Sequence, residues 1–405
     1  MSRHPELYHW QGELAKRFPT LAPPYVALLA LWSLGMVLVR SAGLIAVTRQ
    51  LMPLLGRGFH TVRQRLREFY QEAAAKAGAK RGLKRRDFQV TDCFAPLLAW
   101  VLSFWTHRRL ALALDVTNLG DRLHILCVSV LFGGIGIPVA WKILPGQQQQ
   151  PWHPHWCDLL DRLRSAVGDD WQVVVLSDRG LESSRLFEAI VALGWHPLMR
   201  VKKAARFRPS GWVRWYRLTD LVPRVGARFA AAGLAYQTAP LACTLLAAWE
   251  APYQDAWLLL TDLPVAAAHP CWYAWRAWIE QGFKAIKSAG LRWQQTRMVK
   301  PERLERQWLT LAVTVLWLVA IGAEVERQEA PETVGALPKA QAAAAGPVRG
   351  RVQRLLHIGW ATLVGALVLG QPLPLARLSE LDWPQPEHAP PTLTEEEFVL
   401  GQTYS

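Results

Sequence analysis

Two hydrophobic rhythms divide the chain. Up to about residue 95, apolar positions recur at spacings of three and four and β-branched runs are few. Breaks fall at Pro23-Pro24, at Pro53 and between Gly56 and Gly58, which together predict a series of helices. From residue 110 the rhythm shortens. LALALDVTNLG, RLHILCVSVLFGG and GIPVAWKILPG are three runs of strand length divided by Gly, Asn and Asp, which predicts an antiparallel meander. Helix and strand periods then alternate, as a helix over 151–167, a short buried strand over 171–178, a helix over 183–193 and a strand over 196–201.

Three antiparallel strands followed by alternating helix and strand are the order of a ribonuclease-H-like domain, an α/β fold whose mixed sheet is flanked by helices. Between Asp178 and Glu280 lie 101 residues, too many for one helical crossover. Within them WVRWYRL, ARFAAAGLAYQ and LACTLLAAWE read as extra strands, so a β-rich insertion is expected at about 204–255. Residues 328–349, rich in Ala, Pro and Gly, read as a linker. A short helix over 350–369 follows, then a proline-containing tail whose Glu395-Glu396-Glu397 run is expected to face solvent. The expected division is a helical N-terminal region over 1–95, an α/β domain with its insertion over 96–325, and a linker, helix and tail over 326–405. The apolar stretches 25–39, 311–323 and 360–370 fall short of the ~20 residues that cross a bilayer and are predicted as buried helices.

Residues 272–290, WYAWRAWIEQGFKAIKSAG, carry the most specific pattern. On an α-helix turning about 100° per residue, Tyr273, Arg276, Glu280 and Lys287 fall within an arc of roughly 60°. Trp272, Trp275, Trp278, Ile279, Phe283 and Ile286 take the remaining arcs, so the polar row is expected to look outward from a packed helix. Two cations, a phenol and one carboxylate suit a phosphate backbone, provided the acid holds a divalent metal.

Such a site needs further carboxylates on a rigid frame. Asp115 is the one charged residue of 110–116, and Asp178 closes the apolar run VVVLSD immediately before Arg179-Gly180. A strand-end aspartate is equally able to cap a turn or helix, and both roles stand open from the pattern alone. Asp262, which closes LLLTDLP, is the second choice; Asp121 lies in a hairpin turn and Asp169-Asp170 precede their strand, on the wrong edge. His153 and His155 in WHPHW diverge by about 200° at a helix start, which argues against a shared metal.

Composition adds a partner class. Lys and Arg number 46 against 32 Asp and Glu, a formal +14, which favours an anionic polymer but is shared by ribosomal and membrane-surface proteins. Ten of these cations fall in 57–86, among them Arg63, Arg65, Arg67, Lys76, Lys80, Arg81, Lys84, Arg85 and Arg86. They read either as a solvated helix face with a basic linker or as a track along a duplex backbone. A second basic block, Arg292, Arg297, Lys300, Arg303 and Arg306, follows the 272–290 stretch. Five dispersed cysteines without a CxxC pair read as thiols in a reducing cytoplasm, and no signal peptide is visible in the first 24 residues.

The complete Tyr-x2-Arg-x3-Glu-x6-Lys pattern of Tyr273, Arg276, Glu280 and Lys287 resembles the signature of bacterial insertion-sequence transposases with an Asp-Asp-Glu triad, the group named for Tyr-Arg-Glu-Lys. The resemblance covers roughly residues 50–325. It implies a DNA transposase that binds the ends of its mobile element, cleaves them by metal-dependent hydrolysis and joins the 3′-hydroxyl ends to target DNA. Asp115, Asp178 and Glu280 would be catalytic and would hold two Mg²⁺ (or Mn²⁺) ions, while Tyr273, Arg276 and Lys287, with Arg297 of the second basic block, would bind DNA. It further implies a homodimer on double-stranded DNA, a place at the bacterial nucleoid in the cytoplasm, and no membrane partner. Transposases of this group carry a β-rich insertion, where Trp212, Trp215, Tyr216 and Trp249 are candidates either for base stacking or for the core. A ribonuclease-H-like nuclease without strand transfer would use the same three acids. A non-enzymatic DNA-binding or membrane-associated protein would leave the Glu280 row unexplained.

Overall fold

The computed structural model describes residues 5–76, 87–148, 151–288, 290–329, 349–375, 377–380, 383–384 and 394–403. Five helices come first: α1 (Pro5–Arg17), α2 (Pro23–Val39), α3 (Leu44–Leu55), α4 (Phe59–Arg67) and α5 (Phe94–Leu102). Of the basic run at 57–86, residues 77–86 lie outside the described residues. The meander then forms as β1 (Arg109–Leu119), β2 (Leu123–Phe132) and β3 (Ile135–Pro145), each antiparallel to the next. The β2–β3 turn sits on Gly133 and Gly134, with φ of +53° and +100°, a conformation that a side chain would strain.

Alternating elements follow, as α6 (His153–Arg164), β4 (Gln172–Ser177), α7 (Ser184–Ala192) and β5 (His196–Arg200). The hydroxyl of Ser183 caps α7 by accepting from the Leu186 N–H at 3.3 Å. Strand β4 lies parallel to β1 and β5 parallel to β4. Val173 to Leu176 are buried on both faces, which is why this strand reads as a continuous apolar run and not as an alternation.

The insertion contributes β6 (Arg206–Pro209), β7 (Tyr216–Arg217), the one-turn α8 (Leu218–Leu221), β8 (Arg228–Ala235) and β9 (Leu241–Ala248), and β10 (Trp257–Thr261) follows it. It continues the central sheet. β10 pairs antiparallel with β5 through Leu259↔Arg200, so all ten strands form one mixed sheet in the order β3-β2-β1-β4-β5-β10-β9-β8-β6-β7. One expectation is corrected: WVRWYRL gives only the two-residue β7, because Trp212 turns inward to pack on Tyr216 and Phe229 instead of extending along a neighbour.

After α9 (Trp278–Ile286) comes α10 (Pro301–Glu329), then helices over Arg349–Val368 and Glu395–Thr403. Helix α10 is long and apolar enough to cross a membrane, yet 89% of its apolar window is buried within the described fold. Its Glu305 carboxylate accepts from the Ile143 N–H at 2.9 Å and pairs with Lys142 at 3.0 Å, which covers the open edge of β3. Helix α2 is buried along most of its length, and α3 bends from it by 100°. The linker expected at 328–349 overlaps α10, which runs to Glu329, and the first residue of the next helix, Arg349; residues 330–348 lie outside the described residues.

Candidate active site

Sheet register builds the site. The pairing of β1 with β4 runs from Arg109↔Gln172 to Leu114↔Ser177, and the next residue on each chain is Asp115 and Asp178. The two acids therefore stand side by side on neighbouring parallel strands, Asp115 within β1, which runs on to Leu119, and Asp178 where β4 gives way to a turn. Asp115 Oδ1 accepts from the Val116 N–H at 2.8 Å, and Asp178 Oδ1 accepts from the Arg179 N–H at 2.7 Å. Asp178 caps the single turn Arg179–Leu181, so the capping role and the place beside Asp115 are held by the same residue.

The third acid arrives on a two-part helix. Residues Pro270–Ala277 wind as a 3₁₀ helix and α9 continues from Trp278, so the expected single α-helical face is corrected. In the tighter winding side chains three apart eclipse, which sets Trp272 and Trp275 against Trp383 at 4.9 and 5.1 Å and still leaves Tyr273 and Arg276 on one face. Helix α9 lies on the β2–β3 hairpin with almost no side chain between the backbones. A Cβ on Gly282 would collide with the Gly136 carbonyl, and one on Gly136 would meet Ile279 Cα at 2.7 Å. This close approach sets where Glu280, in the first turn of α9, can reach.

All three acids meet at one guanidinium. Arg276 Nη2 lies 3.0 Å from Asp115 Oδ2 and 3.6 Å from Asp178 Oδ2, and its Nη1 lies 3.7 Å from Glu280 Oε1. Burial is the main influence on Asp115 and raises its pKa; Arg276 and the Val116 N–H oppose this, while Glu280 and Asp178 add to it. Burial works against the charge on Arg276, but Asp115, Tyr273, Asp178 and Glu280 together hold its pKa above the ordinary value. Its Nε is buried and has no partner among the described residues.

The donor set suits a hard divalent cation, since three carboxylates from three elements ring a single positive charge. Among the described residues no three such side chains stand close enough together to ligate an ion as they are, and Arg276 is the cation they hold. A divalent ion bound by these three carboxylates would have to displace the guanidinium from them.

Other expected site residues take different places. Tyr273 is buried, with its ring 5.5 Å from Trp257 and Arg200 stacked over its face at 5.9 Å, so it does not look outward. Burial lifts its phenol to about 12. Lys287 ends α9 and donates to Thr117 Oγ1 at 2.6 Å and the Asn118 carbonyl at 2.7 Å, which ties the helix to β1. Burial lowers its pKa. Of the second basic block, Arg297 is exposed, whereas Arg303 pairs with Glu72 at 2.5 Å and Arg306 with Asp87 at 3.2 Å, both serving to anchor the N-terminal region.

Asp262 is excluded from the site. It bonds His196 Nδ1 at 2.9 Å, and His196 begins β5, at the sheet edge opposite to Asp178. His153 contacts Cys157 Sγ at 3.5 Å and His155 contacts Gln148 Nε2 at 3.3 Å, so the two histidines diverge as expected. Of the aromatic candidates, Trp212 is buried and Trp249 donates to the Tyr253 carbonyl at 3.1 Å, which gives both packing roles in the described fold.

Two groups near the acids carried no specific sequence signal. Arg200 closes β5 beside Tyr273, and Asp255 pairs with Lys203 at 2.5 Å and Arg179 at 3.6 Å, next to Asp178.

Comparison with known proteins places this geometry in context. No curated protein matches the chain. A cryo-EM structure of the piggyBac transposase synaptic complex with hairpin DNA is similar over 91% of this chain and 80% of its own, at 11% identity and a TM-score of 0.36. Residues 149–317 match the family described as Transposase DDE domain. That match supports a transposase DDE domain over those residues and takes in Asp178, Tyr273, Arg276, Glu280 and Lys287, while Asp115 precedes it.

Proposed function

We propose that the protein is a DDE transposase of the insertion-sequence group with the Tyr-Arg-Glu-Lys signature, acting on the double-stranded ends of its element and on target DNA. The observation that carries this reading is the convergence of Asp115, Asp178 and Glu280, from three separate elements, on the one guanidinium of Arg276. The strand order β3-β2-β1-β4-β5, with β1, β4 and β5 parallel, supports a ribonuclease-H-like catalytic core that the remaining five strands extend. A homodimer at the nucleoid, with each subunit contributing one such site, fits a reaction that joins two element ends.

When bound, two divalent ions would supply a polarised nucleophile and charge neutralisation at the scissile phosphate. Asp115, Asp178 and Glu280 would hold them (Mg²⁺ or Mn²⁺). Arg276, released from the acids, is placed to donate both arms of its fork to phosphate oxygens. Tyr273, with Arg200 over its ring, adds to the charge stabilisation of Arg276. Lys287 holds α9 against β1 and so fixes the reach of Glu280, a positioning role in place of the expected phosphate contact.

Cleavage and joining assays on end-containing DNA test the proposal. Asp115→Asn, Asp178→Asn and Glu280→Gln are each expected to abolish Mg²⁺-dependent cleavage while DNA binding persists, with Asp262→Asn cleaving normally. Full cleavage by any of the first three removes that residue from the site. A nuclease without strand transfer would cleave but give no joined product with a 3′-hydroxyl end and a plasmid target.

A further inference from the structure

The helical N-terminal region, α10 and the chain beyond Gly370 surround a cavity of about 210 Å³. Trp10 of α1 and Trp317 of α10, stacked on each other at 3.8 Å and fully buried, form its floor. Trp100 of α5 and Phe104 just after it, both half-buried, form its walls. Two guanidiniums share this recess. Arg17, at the end of α1, lies 5.7 Å from the Trp100 ring and 5.8 Å from that of Phe104, and Arg377 lies 4.8 Å from the Phe104 ring. Both are held in place. Arg17 Nη1 donates to Ser103 Oγ at 3.2 Å, while the indole N–H groups of Trp317 and Trp105 donate to the carbonyls of Pro374 at 3.0 Å and Leu378 at 2.8 Å, which pins the chain on either side of Arg377.

Neither guanidinium has an acidic partner among the described residues. Glu13 also faces the cavity, but Lys16 pairs with it at 2.5 Å, so the two arginines stand unneutralised. Stacking occupies the face of a guanidinium and leaves its in-plane N–H donors available, and two such groups at one recess suit the oxygens of a dianion. The recess is smaller than the ~300–1,000 Å³ of sites for drug-sized ligands, so it takes a small molecule. The aromatic surface that Trp100 and Phe104 leave open is best covered by a ring on that molecule. A duplex backbone would meet the arginines only at the mouth and leave this surface uncovered.

We propose that this cavity is a binding site for a small phosphate monoester carrying one aromatic ring, with Arg17 and Arg377 donating to its phosphate oxygens and Trp100 and Phe104 packing on the ring. The site is separate from the acids. It is built before β1 begins, and Asp115 lies six residues, about 20 Å, beyond the first residue of that strand. The proposal is independent of the reaction proposed above, since Asp115, Asp178, Glu280 and Arg276 take no part in the cavity. A bound ligand would join α1, α5 and the chain at Arg377, and so would stabilise the fold against unfolding.

Isothermal titration of the full chain with phenyl phosphate, inorganic phosphate and benzyl alcohol tests the site. Phenyl phosphate is expected to bind, inorganic phosphate to bind about tenfold more weakly for want of the ring contacts, and benzyl alcohol to give no heat of binding. Arg17→Gln and Arg377→Gln should each weaken phenyl phosphate by about tenfold or more, the loss of one charge-assisted hydrogen bond. Arg377 is exposed and makes no hydrogen bond among the described residues, so Arg377→Gln carries the comparison should Arg17→Gln fail to fold. Arg214→Gln, which removes an exposed charge from the insertion, should change affinity less than about twofold. Failure of phenyl phosphate to bind the wild type, equal affinity for inorganic phosphate, or equal losses from Arg377→Gln and Arg214→Gln would overturn the site. So would an Arg377→Gln variant that loses affinity and salt dependence for duplex DNA while phenyl phosphate leaves the wild type unbound, which would make Arg377 a backbone contact. A protein that fails these titrations yet cleaves end DNA with Mg²⁺ loses only this inference; one that passes them but neither binds nor cleaves DNA loses only the transposase reading.

Discussion

Replacing Arg276 with glutamine removes the one cation that three carboxylates share. Asp115 is the acid most affected, because its side chain is only 20% exposed and its closest cationic partner is Arg276 at 3.0 Å. Breaking a buried ion pair by deleting one partner costs about 3–5 kcal/mol, since the remaining charge is left desolvated. Glu280 is 52% exposed and adds little, as water can replace its partner. A loss of about 3–5 kcal/mol at neutral pH is therefore expected for Arg276→Gln.

The sign of the pH dependence follows from Asp115. Its pKa is raised by burial and held in check by Arg276, so deleting Arg276 raises it further. An acid whose folded pKa lies above its unfolded value destabilises the fold while ionised. That penalty is present at high pH and fades as the pH falls through the folded pKa toward the unfolded value, which is about 4 for aspartate. Urea unfolding of wild type and variant should thus differ most at pH 7 and converge toward pH 4. Millimolar Mg²⁺ should narrow the gap at pH 7 by taking the place of the guanidinium, with a gain of about 2.7 kcal/mol if the free ion stands at a hundredfold excess over its Kd. The same salt should do nothing for an Arg276→Gln/Asp115→Asn double variant. Equal stability of Arg276→Gln and wild type at pH 7, or a deficit that persists undiminished at pH 4, would refute the claim that Arg276 is the counterion of these acids.

Three further outcomes follow from contacts around the site. Lys287→Ala deletes two hydrogen bonds from a charged donor to β1 and should lower stability by about 1.5–3 kcal/mol per bond lost at most; the slope of DNA affinity against salt should stay at the wild-type value, and a shallower slope would restore the phosphate role. Glu72, whose carboxyl is held down to about 2 chiefly by its bond to Arg303, contributes stability that is complete above its unfolded pKa near 4.5 and is lost as the pH falls toward 2; acid titration of Glu72→Gln should lack that component, and an unchanged acid profile would remove it. Gly282→Ala places a methyl against the Gly136 carbonyl and must push α9 off β3; it should cut DNA cleavage far more than DNA binding, and wild-type cleavage would show that Glu280 tolerates the shift.

The Arg276 contacts also mark the boundary of what the sequence could say. Strands β1 to β5 were legible because each is an apolar run of strand length bounded by turn residues, and the place of Asp178 follows from where the β4 run stops, whereas Asp115 is the one charge within β1, which continues to Leu119. The spacing of Arg276 and Glu280 likewise holds at their contact of 3.7 Å, a local i, i+4 pair. What a cation touches across elements is a different matter. A guanidinium near anionic groups pairs with whichever are closest, and in the free chain those are Asp115 and Asp178, placed beside it by a register between strands that no local pattern encodes. The same reason hid the insertion's continuation of the sheet, set by the β5–β10 pairing of Leu259 with Arg200 and Leu260 with Met199, and the docking of Glu395 on backbone amides of Val213 and Arg214, which any sequence would offer alike. Lys287 shows the same limit: its charge suggests a phosphate contact, while its place at the end of α9 gives it Thr117 Oγ1 and the Asn118 carbonyl as partners, neither of which a local pattern encodes. The candidate site residues of this chain are thus legible as a set of charges, while the partner each one keeps in this structure is decided by the sheet.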